Sequence, residues 1–234
     1  MKKIHIATMG ASDWRRLLAD PETQWERKAS AMELAVSWEN AQSTERGLPA
    51  EVAASLDRQA TLSGAQLLLA FPEHKVALKG RGKPSQSDVW ALMLTPNGYL
   101  STAIEGKAGE PFASTLGEWF KAASDGKRER LKSLCEILQI TADPAPELRY
   151  QLFHRTASAL LEAERFRAPL ALMLVQSFRE DPISWSDYGA FCQLFGVTAK
   201  RGEIHEARRS GPERLFLGWV DSPVASDTEI ASVV

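Results

Sequence analysis

Cysteine is scarce in this 234-residue chain: there are two, Cys135 and Cys192, both in apolar, helix-like stretches (LKSLCEIL and YGAFCQLF). Two thiols so placed build neither a disulfide framework nor a cysteine-rich zinc site. They read as buried free thiols. Long hydrophobic runs are missing as well. No stretch reaches the ~18 apolar residues that a membrane span needs, and the longest, around Leu170 to Val175, is short and strand-like. The opening MKKIHIATMGASDWRR has two lysines but no apolar run of signal-peptide length behind them. A soluble, reducing, cytoplasmic setting is the expectation, with no membrane partner. There is also no charge excess. The 28 Lys and Arg against 30 Asp and Glu give a net charge of −2. That balance excludes nucleic-acid binding by bulk positive charge, though not a local basic surface. At 44% hydrophobic and 25% charged residues the composition is that of a globular protein, not of a disordered or collagen-like chain.

Several familiar chemistries are absent too. His5, His74, His154 and His205 are dispersed, with no H-E-x-x-H pattern, zinc spacing or Ser-His-Asp order. Gly80-Arg81-Gly82-Lys83 lacks the rest of a phosphate-binding P-loop. Seven tryptophans are spread along the chain and suit core packing better than base stacking.

What is present is an alternation of helices and strands. Lys3 to Ala7 reads as a short strand, and Asp13 as a helix start before Trp14, Leu17 and Leu18. Ser30 to Gln42 is an amphipathic helix, and Pro49 opens another with Val52, Ala53 and Leu56 on one face. Ala65 to Phe71 is apolar but of ambiguous type, and His74 to Leu78 suits a strand. Helices are expected over Leu116–Ala123, Lys127–Leu138, Glu147–Arg167 and Trp185–Phe195. Leu170 to Phe178 and Leu215 to Val220 are buried-strand signals. The predicted fold class is α/β, a mixed central sheet flanked by helices. One domain is expected over 1–220: a helical part at 12–60, a core at about 65–180, and a helix and strand at 185–220. Residues 221–234 are expected to be a flexible tail.

The clearest element is a β-hairpin. Asp88 to Leu94 (DVWALML) is apolar on both faces, Thr95-Pro96-Asn97-Gly98 is a turn, and Tyr99 to Lys107 (YLSTAIEGK) returns. With Asn97-Gly98 as the loop, Asp88 lies opposite Lys107; with Pro96-Asn97 as the loop, it lies opposite Glu105. Cross-strand partners and i, i+2 neighbours share a sheet face. Both registers therefore put Asp88, Glu105 and Lys107 on one face at one end of the hairpin. Facing carboxylates are hard oxygen ligands suited to Mg²⁺ or Mn²⁺. A lysine beside them can orient water or stabilise charge developing on a phosphate. Gly106, between Glu105 and Lys107, leaves the opposite face open to close approach. The competing reading is a salt bridge of Lys107 with one of the two acids.

Asp88 followed by a hairpin and Glu105-Gly106-Lys107 resembles the PD-(D/E)xK nuclease superfamily, which has a restriction-endonuclease-like fold. The resemblance covers about residues 30 to 180: a helix before the hairpin, one after it, then a buried strand. It implies Asp88 and Glu105 as metal ligands, Lys107 as the catalytic lysine, Mg²⁺ or Mn²⁺ as cofactor and DNA as substrate. Ser87, not proline, precedes Asp88; Pro84 stands four positions before it. The stretches SDVWAL, EGKAGEPF and RYQLFHRTASA are also similar to uncharacterised bacterial proteins.

The family often adds an acid from a preceding helix, for which Glu33, Glu39 and Glu73 are the candidates, and Gln151 on the later helix is a further one. Lys75, Lys79, Arg81 and Lys83 form a basic run just before the hairpin and are candidate phosphate contacts. Lys121, Lys127, Arg128, Arg130 and Lys132 form a second run. Three functional readings stand at this point. One is a divalent-metal-dependent nuclease. Another is an inactive member of the same fold that binds nucleic acid or protein. The third is an unrelated α/β enzyme acting on a small molecule.

Overall fold

The structure is a computed structural model that describes residues 7–80, 82–141 and 143–233. It is a mixed α/β fold in three layers. The middle layer is a six-stranded sheet in the order β1-β2-β3-β4-β6-β5. Its strands are β1 (Gln66–Val76), β2 (Ser85–Thr95), β3 (Gly98–Lys107), β4 (Leu170–Ser177), β5 (Ile204–Glu206) and β6 (Arg214–Asp221). β1, β2 and β3 run antiparallel as a meander, while β3, β4 and β6 are parallel. β4 is buried at every position, as an apolar central strand with parallel neighbours and both faces covered must be.

The helices are α1 (Pro21–Gln24), α2 (Ser30–Ala41), α3 (Ala50–Arg58), α4 (Leu116–Phe120), α5 (Asp125–Leu138), α6 (Tyr150–Phe166), α7 (Pro182–Gln193) and α8 (Asp227–Ala231). A 3₁₀ helix at Ala11–Leu17 precedes them. The strand alternation divides the core in two. Val89, Ala91, Met93, Leu100 and Ile104 face α2, α3 and the 3₁₀ helix. Ala103, Met173, Val175 and Leu217 face α5, α6 and α7. Among the described residues no helix is long and apolar enough to cross a membrane.

The hairpin turns through Pro96-Asn97, because Thr95 pairs with Gly98 and Val89 with Ile104. That register carries Asp88 toward Glu105. Thr95 Oγ1 donates to Gly98 O and accepts the Asn97 N–H, which locks the turn. At the far end of β3, a Cβ on Gly106 would lie 2.3 Å from Leu34 Cδ1. Only glycine lets α2 seat against the sheet there.

Some elements differ from expectation. The ambiguous run and the following strand are one edge strand, β1, which tolerates Pro72 because an edge position need not use both ladder sides. The three-residue β5 is too short to leave a periodic signal. α4 ends at Phe120, earlier than the expected Ala123. The strand expected at Lys3–Ala7 lies outside the described residues except for Ala7, which is not in a strand. The segment expected to be a flexible tail folds back. Ser226 and Glu229 form a capping box for α8. Ala225 N–H donates to Glu33 Oε2 at 2.7 Å, and Val233 O accepts from Ala11 N at 2.7 Å.

Candidate active site at the end of the hairpin

The C-terminal end of β3 and the N-terminal half of β2 present the acids, and α6 lies across them. α6 supplies two groups one turn apart, Gln151 and Arg155, whose i, i+4 spacing puts both on one helix face. Glu105 is the centre. Its Oε1 accepts from Lys107 Nζ at 3.0 Å and from Gln151 Nε2, and its Oε2 accepts from Arg155 Nε at 2.6 Å. Asp88 sits beside it. Its Oδ2 accepts the Gly106 N–H at 2.8 Å, and its Oδ1 has only a long 3.5 Å contact to Arg155 Nη2. One guanidinium thus spans both carboxylates.

Glu105, Lys107 and Arg155 are buried, while 23% of the Asp88 side chain reaches solvent. Burial acts to raise the Glu105 carboxyl, but Arg155 and Lys107 outweigh it and hold it at about 2. Asp88 is pushed the other way. Burial, and next the Glu105 charge, raise it well above the usual carboxylate range, against the pull of Arg155; the partial exposure of its side chain tempers that rise. Burial alone would lower Lys107, yet Glu105 and Asp88 raise it above its ordinary value, so it is an ammonium. Its Nζ also lies 4.7 Å over the Phe112 ring.

The other candidates divide. Gln151 joins the site through Glu105, its Oε1 accepting the Ala113 N–H at 3.1 Å. Glu73 lies at its margin. It hydrogen-bonds Gln86, feels the charges of Arg155 and Glu105, and is raised to about 7, chiefly by burial. Glu39 belongs elsewhere: it accepts from Thr8 Oγ1 at 2.6 Å and Trp14 Nε1 at 2.7 Å, fastening the N-terminal segment to α2. Glu33 likewise holds backbone N–H groups of Lys28 and Ala225. Lys75, Lys79 and Lys83 are exposed, and Arg81 lies outside the described residues. Arg155 was not among the expected residues. Its only sequence signal is its spacing four residues after Gln151.

The donor set suits a hard dication in chemistry. Glu105 Oε2 has one hydrogen-bond donor and Asp88 Oδ1 only the long contact to Arg155, so each carboxylate keeps unused acceptor capacity, and both oxygens face the Arg155 guanidinium, which a bound cation would meet. Mg²⁺ is commonly held by one or two carboxylates, with water and substrate phosphate completing its shell. Among the described residues no group of three or more His, Cys, Asp or Glu is arranged to hold a metal, so a cation here would rest on the acid pair alone.

The model of a family described as a domain of unknown function (DUF6946) matches residues 7–224. No curated protein and no solved structure matches the chain.

Proposed function

We propose, for a chain that belongs to the DUF6946 family, a divalent-metal-dependent phosphodiesterase of the PD-(D/E)xK type acting on DNA. The observation that carries this reading is the convergence of Asp88, Glu105 and Lys107 on one face at the end of an antiparallel hairpin. The order of elements supports it: helices, three-stranded meander, three helices ending in α6, then the parallel strand β4.

Asp88 and Glu105 would hold Mg²⁺ or Mn²⁺, which when bound supplies a Lewis acid for the phosphate and an acidified water. The chain's own groups do the rest. Glu105 is fixed by three side-chain donors, so its oxygen is placed before substrate arrives. Lys107 is held charged and cannot take a proton from water. It orients water as a hydrogen-bond donor and stabilises charge building on the phosphate. Arg155 positions Glu105 and offsets the charge of the acid pair.

The test is cleavage of plasmid and linear DNA in Mg²⁺ or Mn²⁺, with circular dichroism to confirm folding. Asp88→Asn and Lys107→Gln are expected to abolish cleavage by the folded protein. Equal cleavage by wild type and both variants overturns the assignment.

A second reading, a non-catalytic member of the fold that binds nucleic acid or protein, is favoured by Arg155, whose guanidinium already bridges the acids as a cation would. It expects no Mn²⁺ binding by calorimetry and no change of Tm with Mn²⁺.

A further inference from the structure

A cavity of about 330 Å³ lies beside the acid pair, between the loop leading into β2, α5 and the start of α6. That is about ten times the ~30 Å³ share of one water. It unites the two basic runs. Lys83 comes from the first, and Lys127 and Arg130 from the second; none of the described residues lining the cavity is acidic.

Arg130 is the unusual member. It is 5% exposed, yet among the described residues it has no carboxylate partner. Its guanidinium donates instead to three backbone carbonyls, of Lys79, Gly80 and Lys83. Buried charges are ordinarily paired, so a positive charge is built into this wall without its counter-charge. The loop is shaped for that contact. A Cβ on Gly80 would lie 2.5 Å from Gly126 O, and one on Gly82 would lie 3.2 Å from the Arg130 guanidinium carbon. Lys127 Nζ donates to Trp119 O at 2.6 Å and also lacks an acidic partner among the described residues. Trp119 stacks on Tyr150 with centroids 4.2 Å apart, giving the cavity a fixed wall.

The cavity adjoins the candidate active site through Ser85. Its Oγ is 2.8 Å from His154 Nδ1 and 3.5 Å from Arg155 Nη1, and Arg155 in turn holds Glu105. Along β2, Asp88 is three positions after Ser85, about 10 Å at the rise of a strand. At about 3.4 Å per nucleotide, that is a separation of a few nucleotides.

We infer that this cavity is an anion subsite that receives a DNA phosphate a few nucleotides from the one held at Asp88 and Glu105. The inference rests on the proposed phosphodiesterase reading for its substrate. Exposed Lys83 supplies charge at the mouth, while Lys127, held by Trp119 O, and buried Arg130 supply it from the wall.

The experiment has two arms, both in EDTA so that no cleavage occurs. In the first, inorganic phosphate is titrated into ¹⁵N-labelled full-length protein. Shifts are expected to concentrate at Lys83, Ser85, Lys127 and Tyr150; shifts spread over the surface, or none, overturn the subsite. In the second, anisotropy of a labelled DNA duplex is followed against salt. The double variant Lys83→Gln/Lys127→Gln is expected to bind about tenfold more weakly at low salt. Its log K against log salt slope should fall by about two, one for each lysine removed from a phosphate. Lys200→Gln, an exposed lysine paired with Glu203, is the charge control. Equal weakening by that control, or an unchanged slope in the double variant, overturns the DNA part. Localised phosphate shifts in a protein that never cleaves DNA leave the subsite standing and remove the nuclease. Cleavage that persists with wild-type DNA affinity in the double variant does the reverse.

Discussion

Arg155→Met tests what the buried guanidinium does. In the folded chain its Nε lies 2.6 Å from Glu105 Oε2 and its Nη2 3.5 Å from Asp88 Oδ1. Methionine keeps much of the apolar stem but leaves Glu105, 2% exposed, with Lys107 and Gln151 as its remaining donors. Breaking one side of a buried pair costs about 3–5 kcal/mol, because the partner charge is left without compensation. Lys107 stays at 3.0 Å, so the lower end, ~3 kcal/mol, is expected. For a chain of this size that lowers Tm by roughly 6–12 °C.

The assay is urea denaturation at neutral pH of wild type, Arg155→Met, Glu105→Gln and the double variant. Glu105→Gln removes the charge that needs compensating, so the two losses should sum to more than the loss of the double, by about 1–3 kcal/mol. Additive losses, or an Arg155→Met protein within ~0.5 kcal/mol of wild type, would refute the claim that the guanidinium neutralises Glu105. A low-pH series adds a check on sign. Glu105 is held at about 2, below its unfolded value of 4.5, so its contribution is present above 4.5 and is lost as pH falls toward 2. Arg155→Met should flatten that acid limb.

Glu73 is raised from 4.5 to about 7, so its carboxyl favours the folded state below 4.5 and that advantage is lost as pH rises to 7. Glu73→Gln should remove about 3 kcal/mol of the fall in stability over that window, read by urea titration at both ends; an unchanged fall would count against its burial. Gly106→Ala puts a methyl 2.3 Å from Leu34 Cδ1 and should cost about 1–3 kcal/mol by overpacking. Thermal melts check it, and a neutral effect would mean that α2 does not seat there. Burial pushes the Cys192 thiol up to about 12 and raises Cys135 as well. A thiol reagent at pH 8 should therefore label the native protein at a small fraction of the denatured rate; rapid native labelling of either would contradict their burial.

The hairpin was legible because its signals agree: a strand apolar on both faces, a Pro-Asn-Gly turn, and acids at the open end. Which residues pair was open until Thr95 was seen opposite Gly98, since a turn with two loop-forming dipeptides permits either register. Arg155 was not legible. An arginine in a helix ordinarily reads as solvated, and only the docking of α6 across β2 and β3 turns it inward. Glu39 failed as a site candidate for the converse reason. Its place at the end of an apolar helix face marked it as partly buried, but what it satisfies there is the indole of Trp14. The docked C-terminal segment carried a readable capping box at Ser226 and Glu229, overshadowed by its small, polar composition.

The near-neutral net charge conceals a separation that bears on function. At the hairpin end, Glu73, Asp88 and Glu105 stand against Lys107 and Arg155, so with every acid ionised the cluster is one positive charge short. Burial raises Asp88 and Glu73, and the neighbouring Glu105 charge adds to it, so both acids favour their protonated forms. A dication would more than cover that single charge and favour the ionised form of both acids. Next to it, Lys83, Lys127 and Arg130 line a cavity with no acid among its described residues. Folding could have neutralised each cluster with the other across the short distance through Ser85, yet Arg130 is spent on backbone carbonyls instead. Adjacent regions of opposite, uncancelled charge suit a ligand that is anionic along its length and needs a cation at one point. A phosphodiester strand has that pattern, whereas a small neutral substrate would use neither half.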